Sequence, residues 1–96
     1  MTAATIDKKI TELQQELQLK FFVSKIGYFG SYANNTQRED SDLDVLVEFS
    51  KPVGWEFFDL KDFLEKELHV KVDLITPNAL KSQLKDKILS QVHYVS

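Results

Sequence analysis

Ninety-six residues at 11.1 kDa, 43% of them hydrophobic, suffice for one domain around a single core and leave no room for a second independently folding unit. Charged residues make up 28% with a net charge of −3, which argues against a sequence-independent grip on nucleic acid, and the absence of cysteine excludes disulfides, thiolate nucleophiles and Cys-type zinc sites. No apolar run approaches the roughly 20 residues of a membrane span, and Asp7 stands where a signal peptide would stay apolar, so a cytoplasmic protein with no membrane or direct nucleic-acid partner is expected.

From the N-terminus, Ile6, Ile10, Leu13 and Leu17 fall at four- and three-residue spacing behind Thr5, which predicts an amphipathic helix with Thr5 as its cap. Val23 to Phe29, rich in aromatic and β-branched residues and closing on Gly30-Ser31, reads as a strand entering a turn. The polar stretch from Ala33 to Ser41 reads as an exposed connection or a short helical turn. In the next strand, Leu43 to Phe49, the residues Leu43, Val45, Val47 and Phe49 share the core face, and Asp42, Asp44, Leu46 and Glu48 share the other. A second helix, Glu56 to Leu68, has Phe57, Leu60, Leu64 and Leu68 as its inner stripe and points Trp55 and Phe58 away from it. Val70 to Thr76 alternates Val70, Val72 and Leu74 against Lys71, Asp73 and Ile75, predicting a third strand stopped by Pro77. Leu80, Leu84, Ile88 and Val92 then suggest a last helix with a buried stripe. The order α, β, β, α, β, α gives an α/β (α+β) class, a small mixed β-sheet flanked by helices, covering residues 1–96 as one domain. A chain this short is not expected to enclose a deep pocket.

The least generic part is Gly30-Ser31, then Asp42-Leu43-Asp44 entering an apolar strand, with Asp73 on a later strand. Alternation puts Asp42 and Asp44 on one side, about 7 Å apart along the strand, and Asp73 joins them if its strand lies next door, about 4.8 Å away. Like charges about 4 Å apart repel by around 4 kcal/mol at an effective dielectric near 20, so such a cluster calls for a cation or a shared proton. Hard oxygen ligands without His or Cys suit Mg²⁺ or Mn²⁺, and the usual employer of that metal is phosphoryl chemistry. Glycine lets backbone approach a phosphate, and the turn's amides with the Ser31 hydroxyl are donors aimed at an anion. Asp40, Asp42 and Asp44 imitate an EF-hand loop, but Val45 and Lys51 occupy the positions that need Gly and Glu. No P-loop or Rossmann glycine pattern is present, and His69 and His93 have no evident nucleophile and read as surface residues.

At Gly30-Ser31-Tyr32-Ala33, Ser41-Asp42-Leu43-Asp44 and Val72-Asp73-Leu74 the sequence resembles the minimal nucleotidyltransferases of the DNA polymerase beta superfamily, and most closely the MNT antitoxins encoded beside HEPN-family ribonuclease toxins. The resemblance implies that Asp42 and Asp44 bind the catalytic metals, that Asp73 completes the site and helps activate the incoming hydroxyl, and that Gly30 and Ser31 bind the nucleoside triphosphate. It implies transfer of AMP from ATP, with Mg²⁺ or Mn²⁺, to a tyrosine of a HEPN partner held in a hetero-oligomer. Family members commonly follow Gly-Ser-x-Ala with Arg-Gly, whereas this chain has Asn34-Asn35, which removes a cation and leaves Arg38 as the candidate substitute. A binding module that silences the toxin by occlusion is the alternative reading. The shortness of the chain suggests that a partner or second copy supplies the other wall of the site. Trp55 and Phe58 read equally as rim cover or as an anchor for a protein partner. Lys81, Lys85 and Lys87 read as a solvated helix face.

Overall fold

A computed structural model describes residues 1–95. Helix α1 (Ala3–Phe21) buries Ile6, Ile10, Leu13, Leu17 and Phe21 in one stripe. Its cap is Thr2, whose Oγ1 accepts the Thr5 amide at 3.3 Å, so the helix starts three residues ahead of the expected position and Thr5 lies inside it. Periodicity locates the apolar stripe; it does not locate the exposed first turn, which carries no apolar signal.

Strands β1 (Val23–Phe29) and β2 (Leu43–Phe49) pair antiparallel, with Phe29 opposite Asp44. Helix α2 (Glu56–Leu68) then crosses over to β3 (Val72–Ile75), which lies parallel to β2 with Leu43 against Val72 and Asp44 against Asp73. A parallel neighbour requires a crossover of this kind, and the helix supplies it. A 3₁₀ turn (Pro77–Ala79) and α3 (Ser82–Gln91) lead to β4 (His93–Tyr94), which adds to β1 and completes a four-stranded sheet of order β3-β2-β1-β4.

Helices α1 and α2 pack on each other and cover one face of the sheet. Ile6, Ile10 and Leu17 meet Leu60 and Leu64 there, over Leu43, Val45 and Val47, all of them fully buried. Each such side chain contributes about 1.5–3 kcal/mol by leaving water. Tyr28, also in this core, donates its hydroxyl to Asp7 Oδ1 at 2.9 Å, and Asp7 Oδ2 lies 3.3 Å from His93 Nε2, tying α1, β1 and β4 together. Burial first, then the Asp7 contacts, push the Tyr28 phenol well above its ordinary range.

Two expectations change on the opposite face. Leu46, placed by alternation on the non-core face, is nevertheless buried and stands opposite Gly27 and beside Ile75. Gly27 is required there, because a Cβ would meet Val92 Cγ1 at 2.6 Å and the His93 carbonyl oxygen at 2.7 Å. Conversely α3 buries none of its residues, and Leu84 is 48% exposed. Its four-residue apolar spacing marks an amphipathic face, but only part of that face finds a surface to cover. Strand β4 went unanticipated because two residues carry no periodicity.

Candidate active site

Phe29 ends β1 next to Gly30, whose backbone turns to φ 77, the left-handed region that a glycine enters without strain. Proximity requires glycine as well, since a Cβ here would run into the Asp44 carboxylate. Asn34 N–H donates to the Gly30 carbonyl at 3.0 Å and Thr36 N–H to the Ser31 carbonyl at 2.9 Å, coiling residues 30–36 into a compact turn. Among the described residues the amides of Ser31, Tyr32 and Ala33 have no backbone acceptor, so they remain available as donors. Asn35 closes the turn at φ 58. After glycine, asparagine is among the residues that accept this conformation most readily, so Asn35 closes the turn with little strain.

Tyr32, which the sequence places neither in the strand nor in the polar connection beginning at Ala33, is 4% exposed, and its hydroxyl donates to the Ser41 carbonyl at 3.2 Å. The ring anchors the turn in the core, and the hydroxyl fastens it to the residue before Asp42. The detectable signal was a lone aromatic residue inside a hydrophilic stretch. Ser41 in turn makes a tight turn with Arg38, its Oγ accepting the Arg38 amide at 2.8 Å. Leu43 N–H donates to the Lys71 carbonyl at 2.8 Å, and Glu65 Oε2 on α2 accepts the Val72 amide at 2.8 Å, so the start of β3 is tied to both β2 and α2.

Asp44 sits at the centre, with Gly30 on its β1 side and Asp73 beside it on β3. Burial first, then the charges of Asp73 and Asp42, hold the Asp44 carboxyl above the ordinary carboxylate range. Asp42 follows the same alternation but, like Asp73, is exposed to solvent. Thus Asp44 is in direct register with Asp73 and close against Gly30, and Asp42 lies at the same end of the sheet. Among the described residues no three acidic or imidazole side chains are gathered closely enough to grip an ion as they stand. Mutual repulsion and hydration favour that spread. The donor set is nonetheless all carboxylate oxygen, the kind that suits Mg²⁺ or Mn²⁺.

Arg38 lines an open cavity of about 320 Å³ with Tyr32, Gln37 and His69, whereas Asp42 lines a neighbouring one of about 310 Å³ with Asp40 and Lys71. The two cavities share Glu39, His69 and Val70, and among the described residues no ion pair joins Arg38 to Asp42, Asp44 or Asp73. A larger open cavity of about 440 Å³ lies at the other end of β2, between Glu48, Lys51 and Asn78. Trp55 and Phe58 are 81% and 58% exposed with their rings 5.9 Å apart, and Phe58 meets Phe57 of the core's margin edge-on at 5.5 Å, so most of the pair's surface faces outward. His69 and His93 are both at the surface, as expected.

The nucleotidyltransferase domain family matches residues 6–95. The protein adenylyltransferase MntA of Thermococcus cleftensis is 38% identical over 96 residues, spanning 99% of this chain and 97% of its own. A solved structure described as a minimal nucleotidyltransferase superposes with a TM-score of 0.82 at 30% identity, covering 97% of this chain and 95% of that one. A chain from the complex of tri-AMPylated Shewanella oneidensis HEPN toxin with MNT antitoxin shares the fold, with a TM-score of 0.66 at 21% identity over 94% of this chain and 68% of that one. No helix among the described residues is long and apolar enough to cross a membrane.

Proposed function

Because the chain belongs to the nucleotidyltransferase domain family, we propose that it is the antitoxin of a HEPN/MNT pair, transferring AMP from ATP to a tyrosine of the HEPN ribonuclease toxin and so silencing it in the cytoplasm. The observation that carries this reading is the direct register of Asp44 with Asp73, with the Gly30 turn on the other side of Asp44. Asp42, Asp44 and Asp73 are the residues that would hold Mg²⁺ or Mn²⁺, and such an ion would supply charge neutralisation for the triphosphate. Gly30 and Ser31 hold the triphosphate through the turn's open amides and the Ser31 hydroxyl. Asp73 takes the proton of the attacking tyrosine hydroxyl. The names of the relatives support the acceptor class, and the exposed Trp55–Phe58 pair offers contact surface for a protein partner.

The test is to incubate the purified chain with its HEPN partner, ATP and Mg²⁺ and to weigh the partner by mass spectrometry. Added AMP is expected; an unchanged mass in a formed complex would sink the reading. Asp42→Asn and Asp44→Asn should each lower transfer by at least about a hundredfold while the fold persists. The rival, silencing by occlusion, draws on Asn34, which leaves the turn without the family's cation. A double Asp42→Asn, Asp44→Asn variant that binds the toxin yet no longer protects against it favours catalysis; full protection favours occlusion.

A further inference from the structure

An in-line displacement has a direction, and the sheet order fixes it. The bond that breaks joins the α-phosphorus to the oxygen leading to the β-phosphate, so the incoming oxygen approaches from the side opposite the departing pyrophosphate. Under the proposed function, on which this inference rests, the triphosphate tail lies on the Gly30–Ser31 turn at the end of β1. Asp44 is central, and the opposite side is β3, the edge strand of the sheet. Two charged residues of β3 and its approach share the site face. One is Asp73. The other is Lys71, which precedes Val72 and by register lies alongside Asp42.

Lys71 is exposed, and none of the ion pairs among the described residues involves it. It lines the cavity of about 310 Å³ in which Glu39, Asp40 and Asp42 supply carboxylates, and His69 is the other basic lining residue. That cavity borders the site through Asp42, and an acceptor oxygen gaining negative charge beside Asp42 and Asp73, between which the register sets Lys71, would meet mainly repulsion. A lysine ammonium on a flexible four-carbon stem is suited to offset it.

We propose that the acceptor tyrosine enters over the β3 edge and that the Lys71 ammonium binds its hydroxyl oxygen as negative charge develops there. In the step itself the tyrosine oxygen forms a bond to the α-phosphorus, pyrophosphate departs with the electrons of the broken bond, the hydroxyl proton passes to Asp73, and Lys71 stays charged throughout. Lys71 therefore acts on the acceptor and not on the nucleotide.

That division is what the experiment reads. Wild type, Lys71→Gln and Lys71→Arg are compared for binding of α,β-methylene-ATP with Mg²⁺ by calorimetry, and for single-turnover AMP transfer to the HEPN protein at saturating ATP. Lys71→Gln should bind the analogue within twofold of wild type but transfer about tenfold or more slowly, the scale of losing one donor to a developing oxyanion, and Lys71→Arg should recover most of the rate. Thermal melting of Lys71→Gln should match wild type because the side chain is exposed. Unchanged transfer, or analogue affinity that falls in step with the rate, overturns the assignment of Lys71. A wild-type chain that neither binds the analogue nor modifies the partner overturns the proposed function as well.

Discussion

On the helix-covered face of β2 the side chains of Leu43, Val45 and Val47 are entirely buried, whereas the residues interleaved with them run from exposed Asp42 through half-buried Asp44 to buried Leu46 and half-buried Glu48. One strand thus belongs to two environments that differ only by the parity of the residue number. The covered face is apolar and closed by two helices. The open face holds like charges at one end and a small apolar patch at its middle. A group as unfavourable as the half-buried Asp44 carboxylate persists because the other face fixes the backbone that carries it.

Truncating the covered face should give the largest effect. Leu64→Ala removes a fully buried side chain between the two helices and should lower stability by about 2–5 kcal/mol in urea melts, while AMP transfer per folded molecule stays near wild type. If transfer per folded molecule collapses too, the faces are not separable. On the open face, Gly30→Ala forces a Cβ into the left-handed region and against Asp44; about 1–2 kcal/mol of strain is expected, with a loss of transfer larger than that strain explains. Tyr32→Phe keeps the buried ring and removes the bond to the Ser41 carbonyl, for about 1 kcal/mol of stability. If that hydroxyl aligns turn and acids, analogue affinity should fall as well.

The smallest effect has an informative sign. Since the folded state raises the Asp44 carboxyl above its ordinary value, the folded chain binds more protons than the unfolded one between those two values, and stability declines as pH rises through that window. Asp44→Asn removes the penalty. It should be more stable than wild type near neutral pH by less than about 1 kcal/mol, because solvent screens a half-exposed group, and no more stable below about pH 4. A variant less stable than wild type at pH 7 would contradict the picture.

Where sequence reasoning succeeded, the signal was local and periodic: β1, β2 and α2 have their expected bounds, and Asp42, Asp44 and Asp73 lie on the non-core face. It was less informative wherever the answer depended on what lies across the space between elements. The apolar spacing of α3 could not show that little packs against it, nor could the isolated Leu46 show that Gly27 and Ile75 stand beside it. Tyr32 belongs to no expected element until its ring is seen in the core. The site was legible as three acids and a turn, while the neighbour relation of Asp44 to Asp73 required the strand order, which no residue spacing encodes.

The parallel pairing of β3 with β2 has a kinetic corollary. Gly30 meets Asp44 through adjacent antiparallel strands, but Asp73 arrives only after the chain has passed through α2. A fluctuation that lifts this short border strand from its neighbour separates Asp44 from Asp73 while the β1–β2 ladder stays zipped. Under the proposed function, the free energy of that partial opening, readable from amide exchange at Val72 to Ile75, sets the fraction of molecules in which the two acids stand together at any instant.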